Sequence, residues 1–339
     1  MKILYRYISW NLIKNFLLLI GFFSIVIVSS QLLHLPSVLY HIGFFKFLQV
    51  LFFVNLSFLK YQVFFGFFIA SLIVGYSLRE NREIYAIYSS GISRGQLISP
   101  VLWLSIVFVV VAGVISLFLV PYANRERAQF ITVNVKQHIL DSISEKNFMK
   151  LSERLTIYVD KKNENSMEDI FIYNGNGGLS ISAKEATFKG NHIILKNGYI
   201  QIPSQEGFNF LKFEKYDFDL SVDYMKKYEF EDLENKKLIE FIKGKDNKQK
   251  NRAIAVLTDR VLFTIPFLFI GIIGLLMGIQ IEKSRDTLIG IAVIISIIYM
   301  TFNTYFIKLI QKGNLHPAIY LIVVIGYFGV ILFWLYRKK

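Results

Sequence analysis

Little in this chain is arranged for bond-making chemistry. Its five histidines, His34, His41, His138, His192 and His316, are scattered without metal-ligand spacing, and no His-Glu-x-x-His pair occurs. No Gly-x-x-x-x-Gly-Lys-Ser/Thr loop is present to cradle phosphates, so any ATP that drives work here must be hydrolysed by another polypeptide. Cysteine is absent, which removes thiolate metal sites, disulfides and Cys nucleophiles. What remains is charge placed for pairing. Between Arg79 and Ser93 the chain reads as an amphipathic helix: Ile84, Ile87 and Tyr88 fall at i, i+3 and i+4, and Glu80 and Glu83 lie near its start, where the helix dipole favours acids. Gly91 suits the left-handed position that ends such a helix. An acid at that place can pair with a basic partner, and a short interfacial helix that merely anchors a loop fits the same pattern.

The elements that position this segment are apolar. The chain has 339 residues, 54% of them hydrophobic, with 32 Phe in runs such as Phe64-Phe65-Gly66-Phe67-Phe68, and its mean hydropathy is +0.45. Such a composition calls for lipid as the main solvent. Apolar runs long enough to span a bilayer lie at about 16–35, 58–78, 97–120, 261–281, 287–310 and 318–336, with a shorter annex at 44–57 read as an interfacial or partly buried helix. The first run is too long for a secretory signal and is followed by Gln31-Leu32-Leu33-His34 in place of a cleavage site, so it reads as a retained span. Ser93 and Gln96 have capping-box spacing at the start of the third span, and Pro121 is expected to mark its exit. The formal charge of +13 does not form one stripe with interleaved aromatics, which argues against a nucleic-acid partner. Lys2, Arg6, Lys14, Arg79, Arg82, Arg94, Lys283, Arg285, Arg337, Lys338 and Lys339 gather on one side of the spans and place both termini in the cytoplasm.

The same assignment puts the long central region outside, and there the composition changes to alternating apolar and polar residues. Thr156-Ile157-Tyr158-Val159, Asp169-Ile170-Phe171-Ile172-Tyr173, His192-Ile193-Ile194-Leu195 and Tyr216-Asp217-Phe218-Asp219-Leu220 read as strands. Asn174 to Gly178, Lys189-Gly190-Asn191 and Lys196-Asn197-Gly198 read as the turns between them. The expected fold is therefore a helical membrane protein with six transmembrane helices, three plus three, and an inserted all-β domain of sandwich or jelly-roll type. Residues 1–120 carry spans one to three with a coupling helix at about 79–91, residues 121–254 the β domain with helical flanks at about 122–143 and 235–254, and residues 255–339 the last three spans.

Glu83-Ile84, Ile87 and Ser90-Gly91-Ile92-Ser93 resemble the Glu-hydrophobic-x-x-hydrophobic-x-x-small-Gly-hydrophobic-Ser pattern of the lipopolysaccharide export permeases, the LptF/LptG (YjgP/YjgQ-like) family. Tyr5-Arg6-Tyr7-Ile8 and Gly313-Asn314-Leu315-His316-Pro317 are similar to that family's amino-terminal Arg-Tyr start and its Gly-x-Leu-x-Pro connection before the last span. Ser30-Gln31-Leu32 and Thr156-Ile157-Tyr158-Val159 with Ile170-Phe171-Ile172 look more like the F-type than the G-type subunit. The resemblance implies a non-catalytic inner-membrane subunit of an ABC transporter that extracts lipopolysaccharide and passes it to a periplasmic bridge toward the outer membrane. It implies a homologous permease (LptG if this is LptF), a dimeric cytoplasmic ATPase, LptB, and periplasmic LptC/LptA-type β-jellyroll proteins as partners. No cofactor is expected on this chain, ATP and Mg being used by the ATPase. Glu83, Ile84, Ile87, Tyr88 and Gly91 would then form the helix that docks on the ATPase.

Under that orientation His34, Lys46, Lys60, Arg125, Arg127, Lys308 and Lys312 fall near outer ends of spans, where cations can meet glycolipid phosphates or simply snorkel. Ser24, Ser29, Ser30 and Gln31 on span one and Asn303 and Thr304 on span five are placed for a polar seam or for helix-to-helix hydrogen bonds. Two rival readings are a membrane-anchored envelope sensor or adaptor whose β domain binds a ligand, and a membrane enzyme acting on lipid.

Overall fold

The computed structural model describes residues 2–35, 39–40, 43–130, 143–150, 155–163, 166–175, 178–189, 192–204, 207–219 and 230–337. Most of the helical flank expected at 122–143, the Asn176-Gly177 and Gly190-Asn191 turn residues and Leu220 lie outside them. By packing the chain forms two compact units. One comprises residues 1–29, 54–125 and 230–339, and the other residues 30–53 and 126–229.

Among the described residues, five helices are long and apolar enough to cross a membrane, or up to six if a bent pair counts as one span. In chain order the helices are α1 (Lys2–Leu32), the shorter α2 (Phe44–Ser57), α3 (Leu59–Glu80), α4 (Glu83–Ser89) and α5 (Arg94–Phe130). After the sheet come α6 (Asn235–Lys243), α7 (Asn247–Leu262), α8 (Phe267–Gln280), α9 (Arg285–Gln311) and α10 (Pro317–Arg337). Helix α2 stands where the annex was expected.

Two prolines refine the sequence reading. Helix α5 does not end at Pro121 but continues to Phe130, and the turn before that proline widens into a π segment, Ile115–Leu119. Pro121 has no N–H to offer the Leu117 carbonyl one turn earlier, and its ring would crowd that oxygen in a regular α turn; the wider turn relieves both. The fourth span is not one continuous helix over 261–281. Helices α7 and α8 bend by 41° across a short break that ends at Pro266.

The core of the helical unit is the seam between α3 and α8. Gly271, Gly274 and Gly278 on α8 lie against Phe67, Phe68, Leu72 and Gly75 of α3, so the two backbones touch. A β-carbon at Gly274 would sit 2.6 Å from the Phe68 carbonyl oxygen and 3.0 Å from the Leu72 nitrogen. This is the close approach by which small residues hold membrane helices together, where lipid offers no hydrophobic drive to associate. Around it Phe64, Phe67, Phe263, Phe267 and Tyr299 are fully or almost fully buried, with Phe67 stacked on Phe108 at 4.2 Å and Phe64 on Tyr299 at 5.4 Å. Gly274→Ala is expected to lower stability by about 1–3 kcal/mol through overpacking; an unchanged thermal transition in detergent would show that the seam can open at no cost.

The second unit holds a six-stranded antiparallel sheet in sequence order, β1 (Asn147–Lys150), β2 (Leu155–Lys162), β3 (Ser166–Asn174), β4 (Leu179–Lys189), β5 (His192–Ser204) and β6 (Gly207–Asp219). Alternation puts Leu155, Ile157, Val159, Ile170, Ile172, Ile181, Ala183, Ile193, Leu195 and Phe213 on a buried face. The sequence reading named four of these strands; β1 and β4 are additional. The Lys196-Asn197-Gly198 step is not a turn between strands, because β5 runs through it. Asn197 takes a left-handed φ of 52°, and a β-carbon at Gly198 would lie 2.5 Å from the Phe213 ring. The pair kinks one long strand over its neighbour.

Candidate functional site

The motif segment folds as a compact device at one end of the helical unit. Helix α3 keeps Arg79 and Glu80 as its last residues, and α4 starts at Glu83, so the motif helix is shorter than the expected 79–91. Arg82 turns the corner with a left-handed φ of 57°. The Arg79 guanidinium stacks near the Tyr76 ring at 5.0 Å and donates to the carbonyls of Ile281 and Lys283, the latter at 2.8 Å. Arg79 thus ties the end of α3 to the turn that follows α8.

Within α4 the faces divide. Ile84 is 4% exposed and belongs to the core of the spans, and the half-buried Ile87 packs against the same core. Tyr85 is 68% exposed and Tyr88 36%, one turn apart on the outer face. Glu83 Oε1 accepts hydrogen bonds from Tyr7 Oη at 3.2 Å and Asn81 Nδ2 at 3.1 Å. Tyr7 belongs to α1, so the motif acid bridges the first span and the α3–α4 corner. Gly91 ends the helix with φ 84°, and Ser93 opens α5 with the reciprocal capping box: its hydroxyl accepts from the Gln96 backbone N–H at 3.3 Å while the Gln96 side chain accepts from the Ser93 N–H at 2.9 Å. Only four residues, Ser90 to Ser93, separate α4 from α5, the long third span. A displacement of α4 therefore acts directly on that rod.

A second polar site lies inside the spans. Lys60 Nζ of α3 meets Asp259 Oδ2 of α7 at 2.7 Å, and Asp259 Oδ1 accepts from Asn303 Nδ2 of α9 at 2.9 Å. Tyr320 of α10 donates its hydroxyl to Asn303 Oδ1. The ammonium also lies 5.0 Å from both the Tyr61 and Phe263 ring centres. Four helices thus converge on one carboxylate, with its charge balanced by Lys60. Sequence alone places Lys60 among the glycolipid contacts and does not reveal its partner, because the apolar run of the fourth span starts only at Val261. An acid and a base at adjoining positions 259 and 260, beside an apolar run, were the available signal.

The remaining candidate cations differ in their surroundings. Arg125 is 2.9 Å from Glu234. Lys308 and Lys312 of the helical unit are exposed. His34, Lys46 and Arg127 belong to the sheet-containing unit, where the His34 ring lies 3.0 Å from the Ser30 carbonyl oxygen and Lys46 is exposed. Ser24 on α1 donates to Gln62 of α3 at 3.0 Å, so this polar residue serves a helix-to-helix bond. No group of three or more His, Cys, Asp or Glu placed to hold a metal ion occurs among the described residues.

Comparison with known proteins adds a family-level result. The family described as lipopolysaccharide export system permease LptF/LptG matches residues 6–338. An uncharacterized protein of Rickettsia prowazekii (strain Madrid E) is 28% identical over 139 residues, which cover 36% of this chain and 38% of that protein's length. An uncharacterized protein of Aquifex aeolicus (strain VF5) is 22% identical over 243 residues, covering 70% of this chain and 82% of the relative.

Proposed function

We infer, because the chain belongs to the lipopolysaccharide export permease LptF/LptG family, that it is a non-catalytic permease subunit of an ATP-driven transporter, with α4 as the surface on which the ATPase pushes. The family's role is ABC-type export of lipopolysaccharide without a cofactor on the permease, and the multi-pass architecture agrees with it. At finer grain the reading is an F-type subunit paired with a G-type permease, a dimeric LptB-type ATPase in the cytoplasm and LptC/LptA-type β proteins in the periplasm. Both termini then lie in the cytoplasm of an inner-membrane protein. The chain divides into spans one to three (1–120), a periplasmic β domain with its flanks (121–254) and spans four to six (255–339).

The observation that carries this reading is the two-faced α4. Ile84 and Ile87 root it in the spans, Gly91 ends it, and Glu83, Tyr85 and Tyr88 are presented outward or at the rim. Paired aromatics with an adjacent acid suit a groove that supplies an apolar floor and a basic rim. Lys308, Lys312, Lys46, His34 and Arg127 are the cations proposed to meet glycolipid phosphates; Lys60 and Arg125, each held by an acid, act on the substrate only if those pairs open.

Tyr85→Ala combined with Tyr88→Ala tests the surface without disturbing Ile84. Co-purification of the ATPase is expected to drop by about tenfold or more, as interface aromatics commonly contribute 2 kcal/mol or more, while the permease still elutes as a folded species. Full retention of the ATPase by this variant would remove α4 from the interface.

A further inference from the structure

Buried Arg260 has no part in the coupling surface, and its surroundings are unusually complete. It is 4% exposed, with Nη1 donating to Asn235 Oδ1 at 2.5 Å and Nη2 donating to the carbonyls of Glu231 at 2.8 Å and Leu233 at 2.9 Å. Glu231 and Leu233 lie on the stretch that returns from the sheet to the spans, and Asn235 opens α6. The other end of the Asn235 amide donates from Nδ2 to the Leu117 carbonyl at 2.8 Å. That carbonyl is the one Pro121 cannot satisfy, within the π segment of α5. A few residues on, Arg125 of α5 meets Glu234 at 2.9 Å.

We propose that Arg260, Asn235 and the Leu117 carbonyl form an output latch, which fastens the stem returning from the β domain to the third span and to the upper half of the bent fourth span. Arg260 acts as a positioning residue that holds Asn235 in reach of the rod. The logic is mechanical. Helix α5 runs from Arg94 to Phe130 without a gap in the chain, a rod of about 55 Å at 1.5 Å per residue. Helix α4 stands four residues before one end of it, and the latch grips about two-thirds of the way along, at Leu117. A buried guanidinium that satisfies three acceptors at once is costly to open, because the charge would lose its partners in a low-dielectric site. Movement of the rod is therefore delivered to the stem and is not dissipated at the exit of the membrane. The location of the latch just ahead of the 41° bend lets α7 follow the stem while α8 stays fixed against α3. This proposal rests on the reading of α4 as the input surface.

The absence of native cysteine makes paired spin labels simple to place, here at Val114 on the rod and Lys237 on α6, in the purified complex with its partner permease and ATPase. Two variants are compared with the otherwise native chain. Arg260→Gln removes the guanidinium fork; Asn235→Asp keeps an acceptor for Arg260, now charged, and replaces the donor to Leu117 with an oxygen that cannot pair with that carbonyl. In the native latch the resting distance distribution is narrow. Both variants are expected to broaden it, to leave ATP hydrolysis near the native rate, and to cut glycolipid released per ATP by about tenfold, the factor expected for losing a hydrogen bond to a charged group or its buried partner. An unchanged distribution in Asn235→Asp overturns the latch, as does unchanged release per ATP in both variants. Failure of the α4 reading has a separate signature, since it appears as ATPase capture that survives loss of Tyr85 and Tyr88, while the resting distribution judges the latch by itself.

Discussion

Glu83→Ala is expected to reduce ATP-driven glycolipid release from reconstituted vesicles by about tenfold or more, the equivalent of losing one charge-assisted contact of roughly 1.5–3 kcal/mol. Tyr7 and Asn81 both donate to Oε1 of the carboxylate, so its other oxygen is available for a cation on a partner. Alanine removes that charge and also unties α1 from the α3–α4 corner. The helix itself should stay seated, because Ile84 remains in the core. Glu83→Gln separates the two effects: it can still accept from Tyr7 and Asn81 but carries no charge. If Gln restores release, the acid is a brace between helices; if Gln fails like Ala, the charge is what the partner reads. Native release by the Ala variant would end the coupling assignment altogether.

The largest effect on stability is expected inside the spans. Lys60→Met leaves the Asp259 carboxylate among Phe263, Tyr299 and the α3 aromatics without its cation, and Asp259→Leu strands the ammonium in the same way. Each single change should cost about 3–5 kcal/mol, whereas the double change should recover most of the loss, since an apolar pair of similar volume avoids both the desolvation and the uncompensated charge. Thermal unfolding in detergent, read for all three variants, decides the matter. Losses near zero for the singles would mean that water or lipid headgroups already screen the pair, and a double as unstable as the singles would mean that the ion pair itself stabilises the bundle beyond what an apolar pair supplies. The cycle also separates structure from transport, because a double variant that is stable yet inactive would return Lys60 to the substrate path.

Much of the fold was legible because its signals are local. Six apolar runs announced the spans, and period-two alternation announced β2, β3, β5 and β6. Helix α4 was visible from Ile84, Ile87 and Tyr88, and Gly91 indeed takes the left-handed conformation its position called for. The misses share a physical cause. Strand β4 carries Ala183 and Ala186 inward, residues too small to raise an apolar alternation. Asn197-Gly198 has the composition of a hairpin turn, yet the packing of Phe213 against Gly198 makes it a kink within a longer strand. Pro121 and Pro266 look alike as helix breakers. One is absorbed because Asn235, distant in sequence, satisfies the carbonyl it orphans, and the other is left as a bend. At the candidate site, Glu83 could be found from its neighbours. Tyr85 was passed over because it falls off the apolar stripe, which is the reason it faces outward. Asp259 and Arg260 acquire meaning only from partners on other helices, Lys60 being 199 positions away from the first.

The fused backbones of α3 and α8 also determine where this molecule is free to change shape. Helices whose glycines and carbonyls interlock cannot slide or part without tearing the seam, so that pair behaves as a door frame. Helix α1 is hung on it differently. Its only fully buried side chains are Ile8 and Leu12, close to the Tyr7 contact with Glu83, and beyond them it is retained by the half-buried Phe16, Leu19 and Ile20, by ring contacts such as Phe16 with Phe108 and Phe23 with Phe65 and by the Ser24 to Gln62 hydrogen bond. The first span is thus hinged at the end where the motif acid sits and lightly fastened along the rest of its length, which makes it the leaf that swings.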